Sequence, residues 1–197
     1  MWGPSIMKGY FKNPDKTAES LQDGWLHSGD VGLINPDGSL RIIDRAKNIF
    51  KLSFGEYIAP EKLENIYIKS EWLGQIWIYG DSLKDFIVMF APVDQVRVQK
   101  YMNDQKNGSN QVGTTEDLLN TESFKEMVYE DLMVYARDSN LNSLEKPKNF
   151  ILMWEPFTDK DDLLTPTFKM KRNIATKHFD AQIQDMYAQG PKYKDKK

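Results

Sequence analysis

The chain has 197 residues, 40% of them hydrophobic, enough to bury a core in one domain or in one domain plus a fragment. A formal net charge of −3 and an isoelectric point near 5.5 argue against a general nucleic-acid surface, although a local basic patch is still allowed. The absence of cysteine excludes disulfides, thiolate nucleophiles and cysteine-ligated metals, and two histidines, His27 and His178, are too few for a histidine-built zinc site. Met1-Trp2-Gly3-Pro4 lacks the basic start and apolar run of a secretory signal. The longest apolar stretch, residues 86–93, falls far short of the ~20 residues of a membrane span. The chain therefore reads as soluble, without a transmembrane segment, and the lack of cysteine suits the cytoplasm.

Taken in order, residues 1–40 read as loops and short strands punctuated by turns. Asp15 is placed to cap one or two helical turns over 15–21, and Asp23-Gly24 is a turn. Asn35-Pro36-Asp37-Gly38 joins two apolar strands over 31–34 and 39–43. That hairpin is too small to fold alone, so something upstream is expected to hold it. Asp44, Arg45 and Lys47 then fall within four positions, too polar to continue a buried strand. A strand resumes over 49–52, Gly55 breaks it, and Pro60 starts a helix over 60–70 with Glu61 and Glu64 complementing its N-terminus. By pattern alone this is a hairpin leading into a helix, with charges on a solvated joint.

From residue 60 the pattern is a compact α/β unit. Strands are predicted over 75–79, 86–92 and 149–154. A helix starts over 93–102, and 103–115 reads as a polar, mobile insertion. Ser123 and Glu126 have the spacing of a capping box, followed by Phe124, Met127, Val128, Leu132 and Tyr135 at helical intervals. A last helix over 171–187 carries Ile174, Phe179, Ile183 and Met186, Pro191 ends it, and the lysine-rich tail reads as solvated. There is no internal repeat.

Four places could carry chemistry. Asp30 follows Gly29, so its carboxylate is able to approach a ligand closely and accept hydrogen bonds from the adjacent hydroxyls of a ribose; it is equally an ordinary turn residue. Arg45 offers a planar set of donors for ribose or phosphate oxygens, or else forms an exposed ion pair with Asp44. Gly55 is either a plain hairpin turn or a point of close approach to a ligand. Lys169 follows the rigid Thr165-Pro166 turn and could balance the charge of a carboxylate attacking a phosphate, or serve simply as a surface lysine.

The wording of these stretches is more specific than their pattern. Asp44-Arg45-Ala46-Lys47-Asn48-Ile49-Phe50-Lys51-Leu52, Gly55-Glu56-Tyr57-Ile58-Ala59-Pro60-Glu61, Gly24-Trp25-Leu26-His27-Ser28-Gly29-Asp30 and Leu164-Thr165-Pro166-Thr167-Phe168-Lys169-Met170-Lys171-Arg172 resemble, in order, motifs of the adenylate-forming ligases. The first two and the last look most like the long-chain fatty acyl-CoA synthetases. Ser28 stands where threonine is more usual, which keeps the hydroxyl, and Ala46 where many relatives carry a basic residue. The resemblance implies a mixed α/β (α+β) fold. Residues 1–45 would be the end of the large AMP-binding domain's β-subdomain, and 46–197 the small mobile C-terminal domain.

It further implies that Asp30 holds the ribose of ATP, Arg45 its ribose or phosphate, and Gly55 lines the pantetheine tunnel of CoA. Lys47 falls on the hinge and Lys169, not Lys171, is the catalytic lysine; Trp25 and His27 pack and orient the Asp30 loop. The reaction implied is ATP-dependent conversion of a long-chain fatty acid to acyl-adenylate, then to acyl-CoA, with Mg²⁺ held by the large domain. That domain's phosphate loop, Mg²⁺-binding glutamate and fatty-acid tunnel are absent from these 197 residues, so the chain alone is expected to lack appreciable ligase activity. In the full-length protein, the cytosolic face of the endoplasmic reticulum or of other membranes is open as a location. Two alternatives stand beside this: a ligase for aryl or other acids, and a stand-alone module that binds nucleotide or a partner without catalysis.

Overall fold

The structure, a computed structural model, describes residues 1–107 and 113–194. It divides into two compact units, Met1–Ile49 and Phe50–Lys197.

Unit 1 is a chain of small hairpins. Helix α1 (Pro14–Ser20) is capped by Asn13, whose side chain accepts from the Lys16 N–H, with Pro14 in the first turn. Asp15, the predicted cap, lies one residue inside the helix: a proline at the first helical position demands an extended residue before it, and that residue is Asn13. Strands β1 (Leu21–Gln22) and β2 (Trp25–Leu26) pair around the Asp23-Gly24 turn. Strands β3 (Asp30–Ile34) and β4 (Leu40–Arg45) form the main hairpin around the predicted turn. Contrary to the expectation from polarity, β4 continues through Asp44 and Arg45. A ladder needs only backbone partners, and Asp44 satisfies its own carboxylate inside by accepting from the Arg45 N–H at 2.6 Å. Asp44 is the one buried residue of unit 1 (3% exposed), and no apolar side chain of the unit is buried. Ile34 and Leu40, near the hairpin turn, are 74% and 62% exposed.

Unit 2 begins with a two-stranded hairpin, β5 (Phe50–Lys51) and β6 (Tyr57–Ile58), and helix α2 (Pro60–Tyr67). Its centre is an open three-stranded sheet of β7 (Trp77–Tyr79), β8 (Val88–Pro92) and β9 (Asn149–Met153), in the order β7-β8-β9. β7 runs antiparallel and β9 parallel to β8. The 87–91 run is apolar at every position because both faces of the sheet are covered. Alternation assigns Ile78, Met89, Ala91, Phe150 and Leu152 to one core with α2 and α5, and Trp77, Val88 and Phe90 to a second core with Phe157, Leu163, Phe179 and Ile183.

Between β8 and β9 lie α3 (Gln95–Asn107), α4 (Thr115–Asn120) and α5 (Glu122–Asp138). Helix α3 reaches further than 102, taking in the first residues of the expected insertion; 108–112 lie outside the described residues. The expected capping box at Ser123 and Glu126 is not formed. Thr121 ends α4 by donating its hydroxyl to the Leu118 carbonyl (2.7 Å) and serves as the N-cap position of α5, which therefore starts two residues early and takes in Ser123. Boxes form instead at Thr114 with Asp117 and Asn142 with Glu145. The predicted last helix is two, α6 (Arg172–His178) and α7 (Asp180–Gln189), separated at Phe179. Ala175, Phe179, Ile183 and Met186 nevertheless form one buried stripe across the break. The final three residues of the lysine-rich tail lie outside the described residues.

Phe50 anchors the first hairpin of unit 2 by laying its ring on Gly80. A Cβ at position 80 would lie 2.1 Å from the ring's Cε2. Gly80→Ala is therefore expected to destabilise unit 2 by about 1–3 kcal/mol, read as a lowered urea midpoint. An unchanged midpoint would show that the Phe50 ring swings aside freely.

Candidate functional site

Asp30 opens β3 and Arg45 closes β4, and the antiparallel register sets them directly opposite each other. Arg45 Nε lies 2.9 Å from Asp30 Oδ1. The ion-pair partner of Arg45 is thus Asp30 rather than Asp44, whose carboxylate takes the Arg45 backbone N–H instead. Arg45 Nη1 also donates to the Ser28 carbonyl at 3.4 Å, while Ser28 Oγ accepts from the Asp30 N–H at 3.3 Å. Gly29 holds a φ of +72°, and its carbonyl takes the Ala46 N–H at 2.9 Å, which ties the Asp30 loop to the end of β4. With 25% and 46% of their side-chain surfaces exposed, Asp30 and Arg45 are held in place yet open to a ligand. Trp25, expected to pack, is 54% exposed, and His27 is exposed too.

Lys47 is exposed in the turn after β4, where the N–H groups of Asn48 and Ile49 both donate to the Arg45 carbonyl (2.9 and 3.2 Å). Gly55 sits in the β5–β6 turn with φ +90° and donates to the Leu52 carbonyl at 2.9 Å. A Cβ there would meet only Lys51 Cε, at an ordinary 3.6 Å, so the requirement for glycine within this chain is conformational rather than steric.

Lys169 lies at the tip of a hairpin loop closed by a bridge between Leu164 and Met170. The Thr165 N–H donates to the Lys169 carbonyl (2.8 Å), and the Lys169 N–H returns a bond to Thr165 Oγ1 (3.0 Å). Lys169 is exposed, whereas Lys171 is paired with Asp162. Phe168, just before Lys169, holds a φ of +58° while 80% exposed, a strained conformation for a bulky residue that packs on little.

Lys169 shares a cleft of about 350 Å³ with Glu64 and Arg172; a larger one, about 640 Å³ along α5, includes none of the predicted site residues. Sequence reasoning missed the contact between those two. The Glu64 carboxylate, expected to face the helix N-terminus, turns instead to Arg172 and to the Ile78 N–H. Burial pushes its carboxyl above the ordinary range, with the Arg172 charge and these hydrogen bonds pulling the other way. No local signal in the sequence could have paired residues 108 apart. Among the described residues, no group of three or more His, Asp or Glu side chains is arranged to hold a metal ion. No described helix is long and apolar enough to cross a membrane.

No profile of a known protein family matches the chain. Individual proteins do. Human long-chain-fatty-acid–CoA ligase 6 is 44% identical over 187 residues, which is 94% of this chain and 26% of that protein. Fatty acyl-CoA synthetase B of Dictyostelium discoideum is 40% identical over 186 residues, 94% of this chain and 27% of that protein. The chain matches a C-terminal portion of the long-chain fatty acyl-CoA synthetases. These synthetases are acid–thiol ligases, and the chain spans about a quarter of the length of the curated relatives it matches. Among solved structures, the adenylation domain of the Mycobacterium chelonae carboxylate reductase superposes with a TM-score of 0.75 at 27% identity, covering 92% of this chain and 26% of that one. The Segniliparus rugosus carboxylic acid reductase A domain, in complex with AMP and a co-purified carboxylic acid, gives 0.75 at 29% identity, covering 93% and 27%. The mixed α/β fold is thus that of the adenylate-forming enzymes.

Proposed function

We propose that the chain serves as the nucleotide-orienting edge and mobile catalytic domain of a long-chain fatty acid–CoA ligase. The observation that carries this is the 44% identity running through 94% of the chain, and so through all four motifs, against 27–30% for the reductase adenylation domains. Unit 1 supports it from a different direction. Without a buried apolar side chain it has no core of its own, as expected of the edge of a larger β-subdomain.

In this reading Asp30 accepts hydrogen bonds from the ribose hydroxyls of ATP, and Arg45 fixes the Asp30 carboxylate while presenting its remaining donors to ribose or phosphate. Lys169 sits beside the fatty-acid carboxylate as its oxygen bonds to the α-phosphorus and the bond to pyrophosphate breaks, offsetting charge on both reacting oxygens. Rotation about Lys47 then removes Lys169 and brings the Gly55 turn to the pantetheine arm of CoA. The thiol sulfur bonds to the acyl carbon, its proton passes to solvent, and the acyl–AMP bond breaks to release AMP. In this reading Mg²⁺ would be held by residues of the large domain and would offset charge on the ATP phosphates. The fatty-acid pocket would lie in the remaining three-quarters of such an enzyme, so the chain alone carries no appreciable ligase activity. That full-length enzyme would work in the cytoplasm or on the cytosolic face of a membrane.

The test is to join this chain to the upstream portion of human long-chain-fatty-acid–CoA ligase 6 and assay acyl-CoA formation from long-chain and aryl acids. Activity on long-chain acids is expected. Asp30→Asn should then raise the KM for ATP by about tenfold or more, the loss of a charged acceptor for a ribose hydroxyl. Full activity with an unchanged KM would remove Asp30 from the nucleotide site.

A further inference from the structure

We infer that Arg172 and Glu64 form a positioning pair that sets where the Lys169 loop stands relative to the sheet. The inference rests on the reading of Lys169 above. The tip of that loop is rigid within itself: besides the two bonds between Thr165 and Lys169, the Phe168 N–H donates to the Thr165 carbonyl at 2.8 Å. Its tip residues 166–169 are all exposed, so nothing in unit 2 packs them into place. The loop's position is therefore decided at its base. On the entering side, Leu163 and Leu164 are buried in the second core. On the leaving side, three residues after Lys169, Arg172 is the anchor.

Arg172 Nη1 and Nη2 reach Glu64 Oε1 and Oε2 at 3.0 and 2.6 Å, and Nη1 also donates to the Ile78 carbonyl at 3.3 Å. Glu64 Oε1 accepts in turn from the Ile78 N–H at 2.8 Å. A guanidinium, a carboxylate and both main-chain polar groups of Ile78 in β7 thus join the start of α6 to α2 and to the sheet. Both side chains are largely buried, 17% and 14% exposed. A buried ion pair adds little net stability compared with apolar side chains of the same volume. What the two-pronged contact adds is direction, because a planar fork meets a carboxylate in one orientation only. The strained Phe168 backbone gives the loop a reason to relax if that anchor is lost.

Amide hydrogen exchange on the 197-residue chain provides the first measurement. Arg172→Gln is expected to speed exchange at Thr165, Phe168 and Lys169 by about tenfold or more while β8 keeps its protection. Arg172→Lys, which keeps the charge but loses the fork, should loosen the loop almost as much. In the joined ligase, Arg172→Lys and Glu64→Gln should each slow acyl-adenylate formation about a hundredfold. Thioester formation from supplied acyl-adenylate should stay near that of the parent. The melting temperature should change little in Arg172→Lys, which keeps the charge paired, and fall in Glu64→Gln, which leaves the buried Arg172 charge without a counter-charge. Unchanged loop exchange in Arg172→Gln overturns the inference, as does an equal fall in both half-reactions accompanied by a lower melting temperature. A loosened loop in a protein whose adenylation survives Lys169→Ala would leave the positioning pair standing and remove the catalytic role of Lys169.

Discussion

Lys169→Ala in the joined ligase is expected to lower the rate of acyl-adenylate formation by about 10²–10³-fold, the usual effect of removing one preorganised group that meets developing charge. The same variant should convert supplied acyl-adenylate and CoA to acyl-CoA at nearly the parental rate, because in that step the Lys169 loop is withdrawn. Pyrophosphate exchange into ATP measures the first step and single-turnover thioester formation the second. The asymmetry is the informative part. A lysine that merely stabilised the fold would slow both, and Lys169, exposed at a loop tip, has few contacts to lose. Lys171→Ala is the internal comparison: its amine is held by Asp162, so its loss should cost adenylation far less. Equal effects at 169 and 171 would sink the assignment.

Trp77→Ala is expected to be the most destabilising single change in unit 2, costing about 3–5 kcal/mol. Trp77 is 1% exposed on the sheet face opposite α2, stacked on Phe90 with centroids 5.2 Å apart and tilted against Phe179 at 5.9 Å. Removing the indole opens a cavity that these aromatic neighbours cannot close without leaving their own contacts. It also unseats Phe179, the pivot between α6 and α7, and with it the helix pair that follows the Lys169 loop. Urea denaturation followed by far-ultraviolet circular dichroism gives the measurement, with Trp25→Ala as control. Trp25 is 54% exposed, and its truncation should shift stability by no more than about 0.5 kcal/mol. Equal midpoints for the two variants would mean that the second core contributes little.

The elements legible in the sequence were those whose cause is local. The Asn35–Gly38 turn, the apolar runs of the sheet strands and the stripe of α5 each follow from a few adjacent residues, and each is present. The errors fall where two local signals compete. Asp15 and Asn13 both suit a cap, and Pro14 decides between them. Ser123 and Glu126 have the spacing of a capping box, but Thr121 is already committed to ending α4. Polarity at Asp44 and Arg45 argued for a break in the strand, which the backbone ladder and a buried carboxylate overrode.

By itself the sequence determined the chemistry on offer: the Asp30 carboxylate after a glycine, the Arg45 guanidinium in a charged joint, the Lys169 amine beyond a Thr-Pro turn, and no thiol. It also determined the kinship, since motif wording survives as residue identity whatever the packing. Only the tertiary structure decided which charges meet. Strand register set Asp30 opposite Arg45, and the packing of α2 and α6 into the two cores on opposite faces of the sheet brought Arg172 to Glu64 beside β7, across 108 positions. Such contacts are invisible in sequence because hydrophobic burial, which is non-directional, chooses the arrangement, and polar pairs at its edges then fix the geometry that burial leaves open.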